Sequence, residues 1–349
     1  MFDISKVDSN FKIDTKIDKE DIKFHKIDEL PFRVYGIYKE DGKYRRMSEA
    51  VAKTVNEGVY ALHANTAGGR VRFKTDSPYV AIFVEYEYAH KMPHFAITGS
   101  AGFDLYEGNR YIKTFEPPFD VETEFERVIE LGESEKRELT INFPLYSNVK
   151  ELYIGLKEGS IIEEASPYEN EKPVVYYGSS ITQGGCASRP GMSYQAIVSR
   201  ELGWDYINLG FSGSARGEDE IIDYIKKLDM SLFVLDYDYN AKTVKDLEVT
   251  HEKMFKAVRE NHPDIPVIMM SRPKIYLTEA EVKRRAIVEK TYTNARAAGD
   301  ENVYFLDGKA LMALCGNEGT VDSTHPTDFG FASMAKALID LIREKNIRI

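Results

Sequence analysis

The stretch Val174-Val175-Tyr176-Tyr177-Gly178-Ser179-Ser180 decides the fold: four apolar residues stop at a glycine and two small hydroxyl residues. Similar runs recur at Tyr206–Leu209, Leu232–Leu235, Val267–Met270 and Val303–Leu306. Each is continuous in its apolar character, as strands buried on both faces are, and the segments between them have helical length and spacing. The pattern predicts an α/β doubly wound domain with a parallel sheet. Ligands of such sheets bind beyond the carboxyl ends of the strands. The residues to weigh are therefore Gly178-Ser179-Ser180, Gly210 to Gly213, Asp236 to Asn240, Ser271-Arg272 and Asp307-Gly308.

Upstream of this run the pattern changes. The polar stretch from Glu163 to Pro173 lacks periodicity and contains two prolines, which marks a boundary between a first part, 1–165, and a second, 172–349. In the first part, Gly69–Phe73, Tyr79–Val84, Glu138–Phe143 and Glu151–Leu156 are short, rich in β-branched and aromatic residues, and bounded by turn formers. They predict an antiparallel β-sandwich of roughly 130 residues. Two domains also suit a chain of 349 residues, because a single core seldom serves more than about 250–300.

The composition is that of a folded globular protein, with 43% apolar and 30% charged residues. Its 46 Lys and Arg against 57 Asp and Glu give a net charge of −11, which disfavours nucleic acid and anionic membrane surfaces as partners. No stretch approaches the roughly 20 apolar residues of a membrane span. Cys186 and Cys315 are expected as free thiols. Met1 to Lys26 contains no apolar segment of signal-peptide length, so a cytoplasmic location is expected.

Ester hydrolysis by a serine needs a hydroxyl, an imidazole to take its proton, an acid to orient that imidazole, and donors for the oxyanion. Ser180 follows the first strand, where Gly178 lets the chain turn; alternatively it is a helix cap. In Asp322-Ser323-Thr324-His325-Pro326, a turn can bring the carboxylate to one imidazole nitrogen and leave the other facing the strand ends. A capping Asp and a solvated His are the plainer alternative. Gly213, in Asn208-Leu209-Gly210-Phe211-Ser212-Gly213, offers a backbone amide for close approach to a substrate oxygen, or simply closes a turn. Asn240, in Asp236-Tyr237-Asp238-Tyr239-Asn240, offers an amide to the same oxygen or caps a helix.

Taken together, Gly-x-Ser after strand one, Asn…Gly after strand two, Asn after strand three and Asp-x-x-His-Pro before the last helix resemble the SGNH (GDSL-like) hydrolase superfamily. The resemblance spans Val174 to the C-terminus and implies a flavodoxin-like fold. It implies Ser180 as nucleophile, His325 as general base and Asp322 as orienting acid. The oxyanion hole would come from the amides of Ser180 and Gly213 and the side chain of Asn240. Two blocks depart from the common pattern: Gly-Asp-Ser-Ile is Gly178-Ser179-Ser180-Ile181, and Gly-x-Asn-Asp is Asp238-Tyr239-Asn240-Ala241. With two adjacent serines, Ser180 is chosen by its register with Ile181-Thr182.

A second resemblance lies in the first part. Gly102-Phe103-Asp104-Leu105-Tyr106 is similar to the Gly-x-Asp-Leu-Tyr signature of a jelly-roll-like β-sandwich that precedes one SGNH branch. In that branch the block Tyr177 to Gly185 is ordinary, which removes the Ser179 anomaly. Such chains resemble carbohydrate esterases that deacetylate plant polysaccharide fragments, xylan or mannan. From the residues alone, Asp104 and Gly102 form a turn with Leu105 inward and Tyr106 on the opposite face.

Other features are less decisive. Arg272 contacts either substrate or an acidic neighbour, Cys186 lies near the site without a partner imidazole at motif spacing, and His94, which precedes the sandwich motif, either reaches the cleft between the domains or is a solvated or hydrogen-bonded structural His. A phosphate-binding loop, a helical zinc motif and a Gly-x-Ser-x-Gly elbow are all missing. The expected activity is cofactor-free and metal-free removal of O-acetyl groups from acetylated oligosaccharides. The alternatives are a short-chain lipid esterase or thioesterase with the same triad, and a carbohydrate-binding protein without catalysis. Oligomeric state is not legible.

Overall fold

The computed structural model of the chain describes residues 6–8 and 16–349. Its second half is built on five parallel strands, β1 (Asn170–Gly178), β2 (Trp204–Gly210), β3 (Leu232–Asp236), β4 (Val267–Met270) and β5 (Val303–Leu306). They are ordered β2-β1-β3-β4-β5. This is the flavodoxin-like arrangement, in which the chain leaves β1 toward one edge and returns to build the other. The carboxyl end of β1 lies at that reversal, where helices diverge to opposite faces and leave a crevice. Gly178, Ser179 and Ser180 occupy this place.

Alternation along β1 feeds two cores. Val174 and Tyr176 pack with Tyr194, Met334 and Leu338 from helices Tyr194–Leu202 and Asp328–Glu344. Val175 and Tyr177 pack with Ile221, Leu247 and Met254 from helices Asp219–Ile225 and Val244–Asn261. β1 begins at Asn170, four residues before the apolar run. Its polar start went unseen because those residues lie at the solvent end, where Asn170 is held by Ser231 and not by apolar packing.

Among the described residues the first half forms two large antiparallel sheets, beside a small hairpin of Tyr38–Glu40 and Lys43–Arg45, around a third core that includes Val71, Phe73, Ile82, Leu105 and Ile154. One is four-stranded, in the order Ile22–Lys26, Asn148–Lys157, Tyr79–Tyr88, Glu124–Glu130. The other contains Arg70–Thr75, Arg137–Asn142, Phe103–Glu107 and Arg110–Phe115. Asp104 is not in a turn, as its glycine neighbour suggested. It lies within strand Phe103–Glu107, fully buried, with Leu105 in the sandwich core and Tyr106 on the other face.

One segment of the first half belongs physically to the second. Met47, together with Ala52 and Val59 of helices Glu49–Val55 and Glu57–Leu62, packs in the core that covers one face of the parallel sheet. Beside them Arg46 is 2% exposed and donates to the carbonyls of Leu62, Asn65, Asn208 and Gly210. Among the described residues no helix is long and apolar enough to cross a membrane.

Candidate active site

Ser180 opens a single helical turn, Ser180–Gln183, at the end of β1. Ser179 supplies the cap: its hydroxyl accepts the Ile181 amide at 3.1 Å. Gly184, with φ +98°, ends the turn in the left-handed conformation that favours glycine. The turn sits directly on the strand ends. A Cβ on Gly178 would lie 2.0 Å from Thr182 Oγ1, and one on Gly210 would lie 2.2 Å from the Gln183 nitrogen. These glycines are thus required by close backbone approach.

The two serines have separate tasks. Ser180 Oγ lies 2.9 Å from His325 Nε2, whereas Ser179 is occupied in capping. Asp322 arranges the histidine in two ways. Its Oδ1 accepts the amides of Thr324 at 3.0 Å and His325 at 2.7 Å, closing the turn that includes Ser323 at φ +66°. Its Oδ2 is 2.7 Å from His325 Nδ1. An ionised carboxylate only accepts, so Nδ1 carries the hydrogen and Nε2 is left to accept the Ser180 hydroxyl. Burial alone would raise the Asp322 carboxyl, but the His325 amide and ring and the Thr324 amide outweigh it and hold it below the usual carboxylate range. The acid is therefore ionised where the relay needs it.

The neighbouring loops emerge at the same sheet end, since Gly178 pairs with Gly210 on one side and Asp236 on the other. Gly213 adopts φ +65°, and the space where its side chain would lie is open. The turn before it is fixed from two sides: Gln183 Oε1 accepts the Ser212 amide at 3.1 Å, and Asn240 Nδ2 donates to the Phe211 carbonyl at 3.0 Å. One Asn240 hydrogen is thus committed and the amide has another to offer. Ser180, at the first position of its helical turn, has a backbone amide without an intrahelical acceptor. Beneath them Asp236 accepts Thr182 Oγ1 at 2.9 Å and the Tyr194 hydroxyl at 3.1 Å. Burial, and then the charge of Asp238, push its carboxyl up to about 8.

Of the two contacts expected of Arg272, substrate or an acidic neighbour, the structure shows the acidic one. Its guanidinium is 7% exposed, paired with Glu281, and 3.0 Å from Thr324 Oγ1. It also lies 3.6 Å over the Tyr239 ring. An arginine so enclosed is stable only with an acid at hand, and its contact with Thr324 makes it a positioning residue for the His325 turn.

Two further residues lie beside the relay. His94, beside the short Met92–Phe95 bridge, has Nε2 4.0 Å from Asp322 Oδ2 and its ring centroid 5.8 Å from that of His325. The cleft position is one of the two readings of His94, and the tertiary fold brings it there. Cys186 is half-buried nearby. Burial pushes its thiol up to about 12, and the Asp322 charge adds to this, so it is not a thiolate nucleophile at neutral pH.

The Gly-x-Asp-Leu-Tyr segment acts at the seam between the halves. Asp104 accepts Asn142 Nδ2 and the Gly191 amide, both at 2.8 Å, and Arg189 at 3.2 Å. Burial raises its carboxyl, and these partners oppose the rise. Gly99 comes so close to the loop after the Ser180 turn that a Cβ would lie 2.0 Å from the Ala187 oxygen. The sandwich therefore braces the loop that follows Ser180.

A doubly wound sheet with a serine, histidine and acid in series at its switch point defines a hydrolase of the acyl-transfer class. Residues 171–343 match the GDSL-like lipase/acylhydrolase family, and residues 22–162 match the GxDLY family, described as the N-terminus of esterases of SGNH-hydrolase type. The chain belongs to the SGNH (GDSL-like) hydrolases, in the branch that carries a GxDLY domain in front. Among solved structures, a protein of Bacteroides ovatus ATCC 8483 described as a GDSL-like lipase is 28% identical, with a TM-score of 0.83 over 94% of this chain and 99% of that one. The salicylyl-acyltransferase SsfX3 of a tetracycline biosynthetic pathway is 20% identical, with a TM-score of 0.78 over 95% and 100%. A family two carbohydrate esterase from Clostridium thermocellum shares the fold at 16% identity, TM-score 0.59, over 81% and 94%. No curated protein matches the chain.

Proposed function

We propose that the protein is a serine esterase that removes O-acetyl groups from oligosaccharides, fragments of acetylated xylan or mannan taken up by the cell. The observation that carries the reading is the relay of 2.9 Å from Ser180 to His325 and 2.7 Å from His325 to Asp322. Ser180 Oγ attacks the acetyl carbon as its proton passes to His325 Nε2, and the amides of Ser180, Gly213 and Asn240 receive the oxyanion. The bond to the sugar oxygen then breaks, and His325 returns the proton to that oxygen. Water attacks the acetyl-Ser180 ester, giving a proton to His325; Ser180 leaves with that proton and acetate is released. Asp322 stays ionised throughout.

The acetyl preference is supported by the carbohydrate esterases among the fold neighbours, including an acetyl xylan esterase from Butyrivibrio proteoclasticus. The Bacteroides ovatus relative, described as a lipase, favours a second reading with longer acyl chains. Acetate release from acetylated xylo- and manno-oligosaccharides, beside hydrolysis of acetyl and octanoyl esters, separates the two. Release is expected from the unmodified protein and Ser179→Ala but not from Ser180→Ala. A preference for octanoyl esters would favour the second reading, and no hydrolysis by the folded protein would sink both.

A further inference from the structure

One ligand atom each from His94, Cys186 and His325 lie within 4.8 Å of one another. The three come from separate parts of the chain: a loop of the sandwich half, the loop after the Ser180 turn, and the turn before the last helix. We propose that they form a site for a borderline-soft divalent cation such as zinc, and that its occupation switches off Ser180. Two imidazoles and a thiol are the donor set such ions prefer, whereas magnesium and calcium require oxygen. Ligand atoms on a tetrahedral zinc sit roughly 3.3–3.7 Å apart, as bonds of about 2.0–2.3 Å dictate. Closure from 4.8 Å needs a movement of the order of one rotamer adjustment. The His94 side chain, 43% exposed, is the one free to make it and opens the site to solvent. Cys186 has its backbone at φ +74°, a conformation that non-glycine residues seldom adopt.

Inhibition follows from which nitrogens are available. Both ring nitrogens of His325 are engaged in the relay, one with Ser180 and the other with Asp322. A cation that takes either one removes the base or its orienting acid. The Cys186 proton leaves to solvent as the metal–sulfur bond forms, and chelation of the ion reverses both changes.

Cobalt(II) titrated into the full-length protein is the direct probe, because a cobalt–thiolate bond gives a charge-transfer absorption. The band is expected in the unmodified protein, absent in Cys186→Ser, and displaced by zinc. Loss of a ligand in His94→Ala is expected to weaken zinc binding by at least about ten-fold, the lower end of what even outer-shell changes cost. In parallel, zinc is expected to inhibit hydrolysis of 4-nitrophenyl acetate, with EDTA restoring the rate and magnesium having no effect. His94→Ala and Cys186→Ser are expected to hydrolyse normally without zinc and to need correspondingly more zinc for half-inhibition. No cobalt band in the folded protein, a band that survives in Cys186→Ser, or zinc inhibition unchanged in both variants would each overturn the site. The inhibition rests on the esterase reading while the binding does not. A cobalt band without turnover of any ester would sink that reading and support the site.

Discussion

At Asp322 one carboxylate does two things: Oδ1 closes the turn and Oδ2 orients the imidazole. Asp322→Asn can keep the first role, but it offers the ring an amide that no longer enforces the tautomer. The expected result is a loss of about 10³–10⁴ in kcat, as for the equivalent change in other triads, with the melting temperature little moved. Steady-state kinetics beside thermal unfolding would check this. Ser180, Asp322 and His325 could be named as candidates because the spacing of a motif survives without knowledge of the fold, and the fold brings the three together. For Arg272 an acidic neighbour was one of two readings; which acid, and the contact with Thr324, was not legible, because Glu281 and Thr324 lie on segments whose proximity no local pattern records. Asp236 makes a prediction of its own. Its folded carboxyl is raised to about 8 from 3.8, so the folded state holds a proton that the unfolded state has released. Its contribution is fully present below about pH 4 and is lost as pH rises toward 8, at up to about 1.4 kcal/mol per pH unit. Asp236→Asn is expected to flatten the decline in stability between pH 6.5 and 8, measured by denaturant unfolding across that range.

Among the elements, the one-turn helix Ser180–Gln183 is held by what lies beneath it. Gly178→Ala would drive a methyl into Thr182 Oγ1 and the Asp236 carbonyl. The cost is expected at about 1–3 kcal/mol or more, because packed interiors yield little, and activity should fall with it as the Ser180 turn tilts. Calorimetry and kinetics on the same variant test both. A second element, strand Phe103–Glu107, fixes the 189–191 turn through Asp104. Asp104→Ala leaves Arg189 without its buried partner, and removing one member of such a pair costs about 3–5 kcal/mol. The apolar runs foretold the strands of the parallel sheet because burial on both faces leaves a continuous signal. The sandwich strand bearing Asp104 was misjudged as a turn, since a buried acid beside a glycine looks like turn chemistry until its partners are known.

For the whole molecule, composition and the change in periodicity near residue 165 separated a sandwich from a doubly wound sheet. They could not show that Met47, Ala52 and Val59 cross that line, because three apolar residues on short helices resemble any local packing. A fragment of residues 166–349 would expose the face those residues cover and lose the contacts of Arg46 with the carbonyls of Asn208 and Gly210. It is expected to lack a cooperative unfolding transition in circular dichroism, whereas the full chain is expected to show one. The same feature limits how such an enzyme can diversify. A front domain that lends two helices and a buried arginine to its neighbour's foundations is no portable cassette, and any graft of a different sandwich must bring that underpinning with it. New specificity is then more readily found by editing the rim, in loops such as the one that bears His94, than by exchanging whole modules.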